Sequence, residues 1–119
     1  MELVDDMKYT HELQSDVAIF KLDGNMLGTP ENNLIKNDVI AYLDKGVNKF
    51  VIDLTELKHI NSTGLGIFIT LLTKIKSKNG ELVLCNPNQA ISNLLKITKL
   101  SSVFLILNSI EEAINHYKK

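Results

Sequence analysis

The sequence predicts an α/β fold: a single mixed, mostly parallel β-sheet that opens with an antiparallel hairpin and carries about four helices. Short apolar runs alternate with longer segments of helical period, the pattern of strands joined by helical crossovers. Two of those runs, "KFVIDL" (49–54) and "ELVLC" (81–85), are almost continuously apolar, as strands covered on both faces are. The first 22 residues read differently, with alternating positions broken by a Ser-Asp turn.

Lys8 to Leu13 is the first expected strand, with Tyr9, His11 and Leu13 alternating with Lys8, Thr10 and Glu12. "VAIFKL" (17–22) is the second, and Gly24, Asn25 and Gly28 then mark a loop. "TPE" starts a helix: Thr29 can cap it, Pro30 suits its first position, and Glu31 favours the positive end of the dipole. Its inward stripe is Ile35, Val39 and Leu43, and Gly46 ends it after about Lys45. Beyond "KFVIDL", the segment "TELKHIN" (55–61) reads as a loop, and a second helix runs from about Ser62 to Lys78. Asn79–Gly80 closes that helix, "ELVLC" follows, and "NPNQ" turns into a third helix, about Gln89 to Thr98. "VFLIL" (103–107) is the last strand, and Ser109 caps a short helix with Glu111 and Glu112 in its first turn. Parallel pairing with right-handed crossovers follows from this order. Without an internal repeat or linker, residues 1–119 read as a single domain, with 1–6 flexible.

Composition narrows the function. Of 119 residues, 45% are hydrophobic and 23% charged, with a formal net charge of -1, so a core is expected and a phosphate-binding basic face is not. Nucleic acid is therefore not an expected partner. Lys74, Lys76 and Lys78 read as a solvated helix side. The single cysteine, Cys85, sits in an apolar run and reads as a buried, inert thiol. No apolar run approaches the roughly 20 residues needed to span a bilayer. With no signal-like N-terminus, a cytoplasmic protein is expected.

Familiar catalytic arrangements do not stand out. There is no glycine-rich phosphate loop, and His11, His59 and His116 lack metal-ligand spacing, so neither a cofactor nor a metal is expected. Ser62 and His59 share one segment, an unusual layout for a nucleophile and its base, and an enzyme is not expected. Attention falls on "INSTGLG" (60–66). Asn61 or Ser62 can cap a helix there, and Gly64 and Gly66 can let it pack closely on the sheet. The helix that follows is apolar nearly all round: Leu65, Phe68, Leu72 and Ile75 form one stripe, while Ile67, Ile69 and Leu71 lie off it. Such a helix is either fully buried or shows a second face to a partner.

"VIDLTELKHINSTGLGIFI" resembles the signature of STAS domains, the bacterial anti-sigma factor antagonists, and the likeness continues through "NGELVLCNP", "LLKITKLSSVFLI" and "SIEEAI". It spans about Val17 to Tyr117. The resemblance implies a binding module whose serine at the helix start is phosphorylated by a partner that is both serine kinase and anti-sigma factor. That serine is Ser62, with Thr63 the second candidate. Partner contact is placed on Asn25, Asn61, Ser62, Thr63, Gly64, Leu65 and Ile67, and the chain would act as a monomer or weak homodimer. The family usually has Asp where Asn61 stands, an acidic residue where Leu27 stands, and glycine where Lys99 stands.

Two other readings stay open. One is a non-switching STAS scaffold or adaptor in a signalling or transport complex. The other is a small enzyme or ligand carrier using a pocket near Asn25, Asp53 and Ser62, with weak binding of GTP or ATP at most.

Overall fold

A computed structural model describes residues 7–28 and 33–118. The expected cap at Thr29–Glu31 and the flexible 1–6 segment lie outside the described residues. The order is β1 (Lys8–Gln14), β2 (Val17–Met26), α1 (Asn33–Asp44), β3 (Lys49–Ile60), α2 (Ser62–Ser77), β4 (Glu81–Cys85), α3 (Gln89–Ile97), β5 (Leu105–Leu107) and α4 (Ile110–Tyr117). One five-stranded sheet runs β1-β2-β3-β4-β5. The β1–β2 pair is antiparallel and the rest are parallel, as the sequence predicts.

Strands laid down in one direction by right-handed crossovers put every crossover helix on the same face. Phe20, Phe50 and Ile52 pack there with Ile35 of α1, Phe68 and Leu72 of α2, and Ile91 and Leu95 of α3. The opposite face carries the alternate strand positions. There Val17, Ile19, Val51, Val83 and Cys85 meet Ala113 and Ile114 of α4.

Three segments depart from expectation. β2 does not stop at Leu22: Gly24 and Asn25 belong to the strand, which ends at Met26. β3 likewise runs through "TELKHI" to Ile60, so the expected loop is strand except for Asn61. The two extensions make each other, pairing Asp23 with Glu56, Gly24 with Leu57, Asn25 with His59 and Met26 with Ile60. Gly24 (φ +97°) lies where the register shifts, a conformation that favours glycine. The last strand shortens to Leu105–Leu107, because Lys99 (φ +64°) opens a 3₁₀ turn over Leu100–Ser102. Lys99 thus takes a left-handed conformation that glycine would adopt freely, at a cost of roughly 1–2 kcal/mol.

The all-round apolarity of α2 is largely absorbed within the fold. Leu71 (0% exposed) and Leu72 (7%) join Leu65, Phe68 and Ile75 in the core, since α1 covers one flank of α2. Ile69 (41% exposed) is the large apolar side chain of α2 left open.

Candidate functional site

The helix start at Asn61 is built by one carboxamide. Asn61 is extended (φ -106°, ψ -178°), so its side chain folds back and Oδ1 accepts from the Gly64 N–H at 2.9 Å. Its Nδ2 donates to the Leu27 carbonyl at 3.0 Å. The Asn61 backbone N–H donates to the Met26 carbonyl at 3.3 Å, and its own carbonyl accepts from the Leu65 N–H at 2.9 Å. Asn61 is therefore the cap, and Ser62 is the first residue of α2.

Two glycines let the end of β2 and the first turn of α2 touch. A Cβ on Gly64 would stand 2.6 Å from the Met26 carbonyl oxygen. On Gly28 (φ +82°) it would run into Cγ2 of Thr63. Neither gap admits a side chain.

The two hydroxyls differ. Ser62 is exposed, and among the described residues its hydroxyl makes no hydrogen bond. Thr63 is exposed too, but its methyl lies over Gly28. The N–H groups of Ser62 and Thr63 face the helix end, where the macrodipole is positive, while Gly64 and Leu65 have theirs engaged by Asn61. The structure thus brings Asn61, Ser62 and Thr63 together at the surface. Gly64 and Leu65 (3% exposed) turn into the domain's own packing, and Asn25 and Ile67 are half-buried. Sequence reasoning missed the main-chain oxygens of Met26 and Leu27; the only signal was the glycine pair, Gly28 and Gly64, on either side.

A pocket shared by Asn25, Asp53 and Ser62 is not what the chain builds. Asp53 lies seven residues before Ile60 along β3, roughly 20 Å at the strand rise. Its Oδ1 accepts from the Thr55 hydroxyl at 2.6 Å and the Thr55 N–H at 3.2 Å. Asn86 donates to the same hydroxyl at 3.1 Å, tying the β4–α3 turn to β3. His59 and Ser62 share no hydrogen bond among the described residues.

A second polar cluster joins β1 to α1. The Tyr9 hydroxyl donates to Asp38 Oδ2 at 2.6 Å, and His11 Nδ1 lies 2.9 Å from the Tyr42 hydroxyl. Burial, then the Asp38 carboxylate, pushes the Tyr9 phenol far above its ordinary value, so it stays a donor. This cluster fastens an edge strand. Among the described residues no group of three or more His, Cys, Asp or Glu could hold a metal ion, and no helix is long and apolar enough to cross a membrane.

A mixed sheet with its crossover helices on one face, and a hydroxyl presented at the start of the second of them, defines a small α/β module. The chain belongs to the STAS domain family, whose model matches residues 9–113. It is 28% identical over 112 residues to a Thermotoga maritima protein named as a candidate anti-sigma factor antagonist, covering 93% of this chain and 98% of that one. The crystal structure of a T. maritima candidate anti-sigma factor antagonist superposes with a TM-score of 0.81 at 28% identity, covering 93% of this chain and 95% of that one. BtrV of Bordetella bronchiseptica, named likewise, is 29% identical over 112 residues, covering 94% and 96% of the two chains. The unphosphorylated form of the anti-sigma factor antagonist SpoIIAA shares the fold, with a TM-score of 0.81 at 16% identity over 93% and 96% of the two chains.

Proposed function

We propose that this protein is an anti-sigma factor antagonist that docks a serine-kinase anti-sigma factor through the start of α2 and is released when that kinase phosphorylates Ser62. The observation that carries the reading is the division of labour at the helix start. Asn61 supplies the cap, which leaves an exposed Ser62 hydroxyl that the fold does not use. The names borne by the relatives support the role. The contact surface is Asn61, Ser62 and Thr63, continued along α2 by Ile69 and Thr70.

A phosphate on Ser62 adds roughly -1.5 to -2 charges at neutral pH. The domain tolerates it, because the N–H groups of Ser62 and Thr63 and the helix dipole stand beside it. A partner surface shaped to a neutral hydroxyl must instead desolvate a dianion. Losing about 3–4 kcal/mol in that way weakens binding a few hundredfold with no change of fold.

The test is phosphate transfer from ATP by the cognate kinase, read by phosphopeptide mapping, together with partner affinity. Ser62→Ala blocks transfer and keeps binding, while Ser62→Asp weakens binding by about a hundredfold or less, since one carboxylate carries less charge than a phosphate. Phosphate found elsewhere, with Ser62 unmodified, overturns the reading. Partner affinity indifferent to Ser62→Asp would instead favour a non-switching scaffold. One observation motivates that second reading: the side chain at 61 is a neutral amide committed to internal bonds, so residue 61 brings no carboxylate to the site.

A further inference from the structure

We infer that Asn61 is a positioning residue for Ser62, and that in this chain its carboxamide does this by accepting and donating at once. The inference rests on the proposed role of Ser62 and adds what holds that residue in place. Four hydrogen bonds converge on residue 61: Oδ1 from Gly64, Nδ2 to Leu27, N–H to Met26 and C=O from Leu65. The partners fix the amide's orientation, since the Gly64 N–H can only donate and the Leu27 carbonyl can only accept.

The close approach of Gly64 to Met26 and of Thr63 to Gly28 completes the joint. Residues 61, 63 and 64 are each seated against the end of β2, and Ser62 between them points outward. A serine at 61 would cap the helix without reaching Leu27. An aspartate would also cap it, but would set an oxygen against the Leu27 oxygen. Of the common caps, asparagine alone does both.

The fold repeats this joint where no hydroxyl follows. Asn88 caps α3 by accepting from the Ile91 N–H at 2.8 Å, and it donates to the carbonyls of Leu57 and Lys58 at 3.2 and 3.1 Å. Gln89 comes next. Asn88→Asp is therefore an internal control that damages the same kind of joint away from Ser62.

Asn61→Asp separates the two roles of the amide. Amide hydrogen exchange on the isolated protein should show Gly64 still protected. Protection of the residue-61 N–H, which reports the contact with Met26, should fall roughly three- to tenfold, the effect of one ordinary hydrogen bond. In phosphate transfer by the cognate kinase, KM for the variant should rise by roughly the same factor with kcat unchanged, because a looser Ser62 must be ordered on binding. Asn88→Asp should leave both constants at their original values. Unchanged exchange at residue 61 in Asn61→Asp overturns the joint. Faster exchange with an unaltered KM overturns the positioning role and leaves a structural one. If the unaltered protein accepts no phosphate at Ser62, the proposed function fails, and exchange still decides the joint.

Discussion

The starts of α2 and α3 are built alike and presented differently. Each begins at an asparagine whose Oδ1 caps the third helical residue and whose Nδ2 reaches a main-chain oxygen, just past the end of β2 at α2 and within β3 at α3. At α3 the chain continues Gln89-Ala90-Ile91, and Ile91 is buried (1% exposed). At α2 it continues Ser62-Thr63-Gly64, with the glycine pressed on Met26 and two hydroxyls at the surface. The α3 start shows that stability at such a joint needs no hydroxyl. What α2 adds is therefore not explained by capping, and this gives Ser62 a claim to function that "INSTGLG" alone does not establish.

The largest test of this contrast acts on the third helical residue, absent of side chain in one case and full-sized in the other. Ala at a helix interior is normally favoured over Gly by about 1 kcal/mol. Gly64→Ala should reverse that sign and destabilise by about 2–4 kcal/mol, because its Cβ meets a main-chain oxygen at 2.6 Å, and main chain gives way poorly. Ile91→Ala should cost a similar 2–4 kcal/mol for the opposite reason, an unfilled space in the core. Urea midpoints measure both. A Gly64→Ala protein as stable as the original would mean that β2 and α2 are not held together as described.

Legibility followed the same contrast. The α3 start could be read, because "NPNQ" before an apolar period is a strong turn and cap signal. At α2 two adjacent cappers, Asn61 and Ser62, left the choice open, and only the extended backbone at 61 resolves it. The strand extensions were illegible for a physical reason. "TELKHI" is polar enough to be a loop, and it becomes strand through pairing with Asp23–Met26, a partner chosen by tertiary structure. The alternation of strands with helices and the buried strands β3 and β4 were readable, since burial on two faces leaves an apolar run that little else produces.

The α4 start supplies a third variant, with an effect confined to alkaline pH. Ser109 caps by accepting from the Glu112 N–H at 3.1 Å, but its tie to the sheet comes through its carbonyl, which accepts from the Cys85 thiol at 3.3 Å. Burial, with help from the Asp53 and Glu112 carboxylates, pushes the Cys85 thiol up to about 12. A raised value means that the fold prefers the thiol. The stability it contributes is complete below the unfolded value, near 9, and is lost as pH rises toward 12. Between those limits Cys85 should contribute a loss of at most about 1.4 kcal/mol per pH unit. Comparing the alkaline stability of the original protein with Cys85→Ala isolates this share. Parallel curves would show that the thiol at this start carries no such weight.

The smallest expected effect is the most discriminating. If Asn61 makes the joint and Ser62 serves only the partner, Ser62→Ala should change the urea midpoint by less than about 0.5 kcal/mol, the ordinary range for a surface substitution. Alanine is the better helix former, which offsets any small loss. A loss of about 1 kcal/mol or more, the usual weight of a lost cap, would place Ser62 in the structure after all. It would also erase the difference between the α2 and α3 starts, since a hydroxyl needed for folding is no longer free to report its charge to a partner.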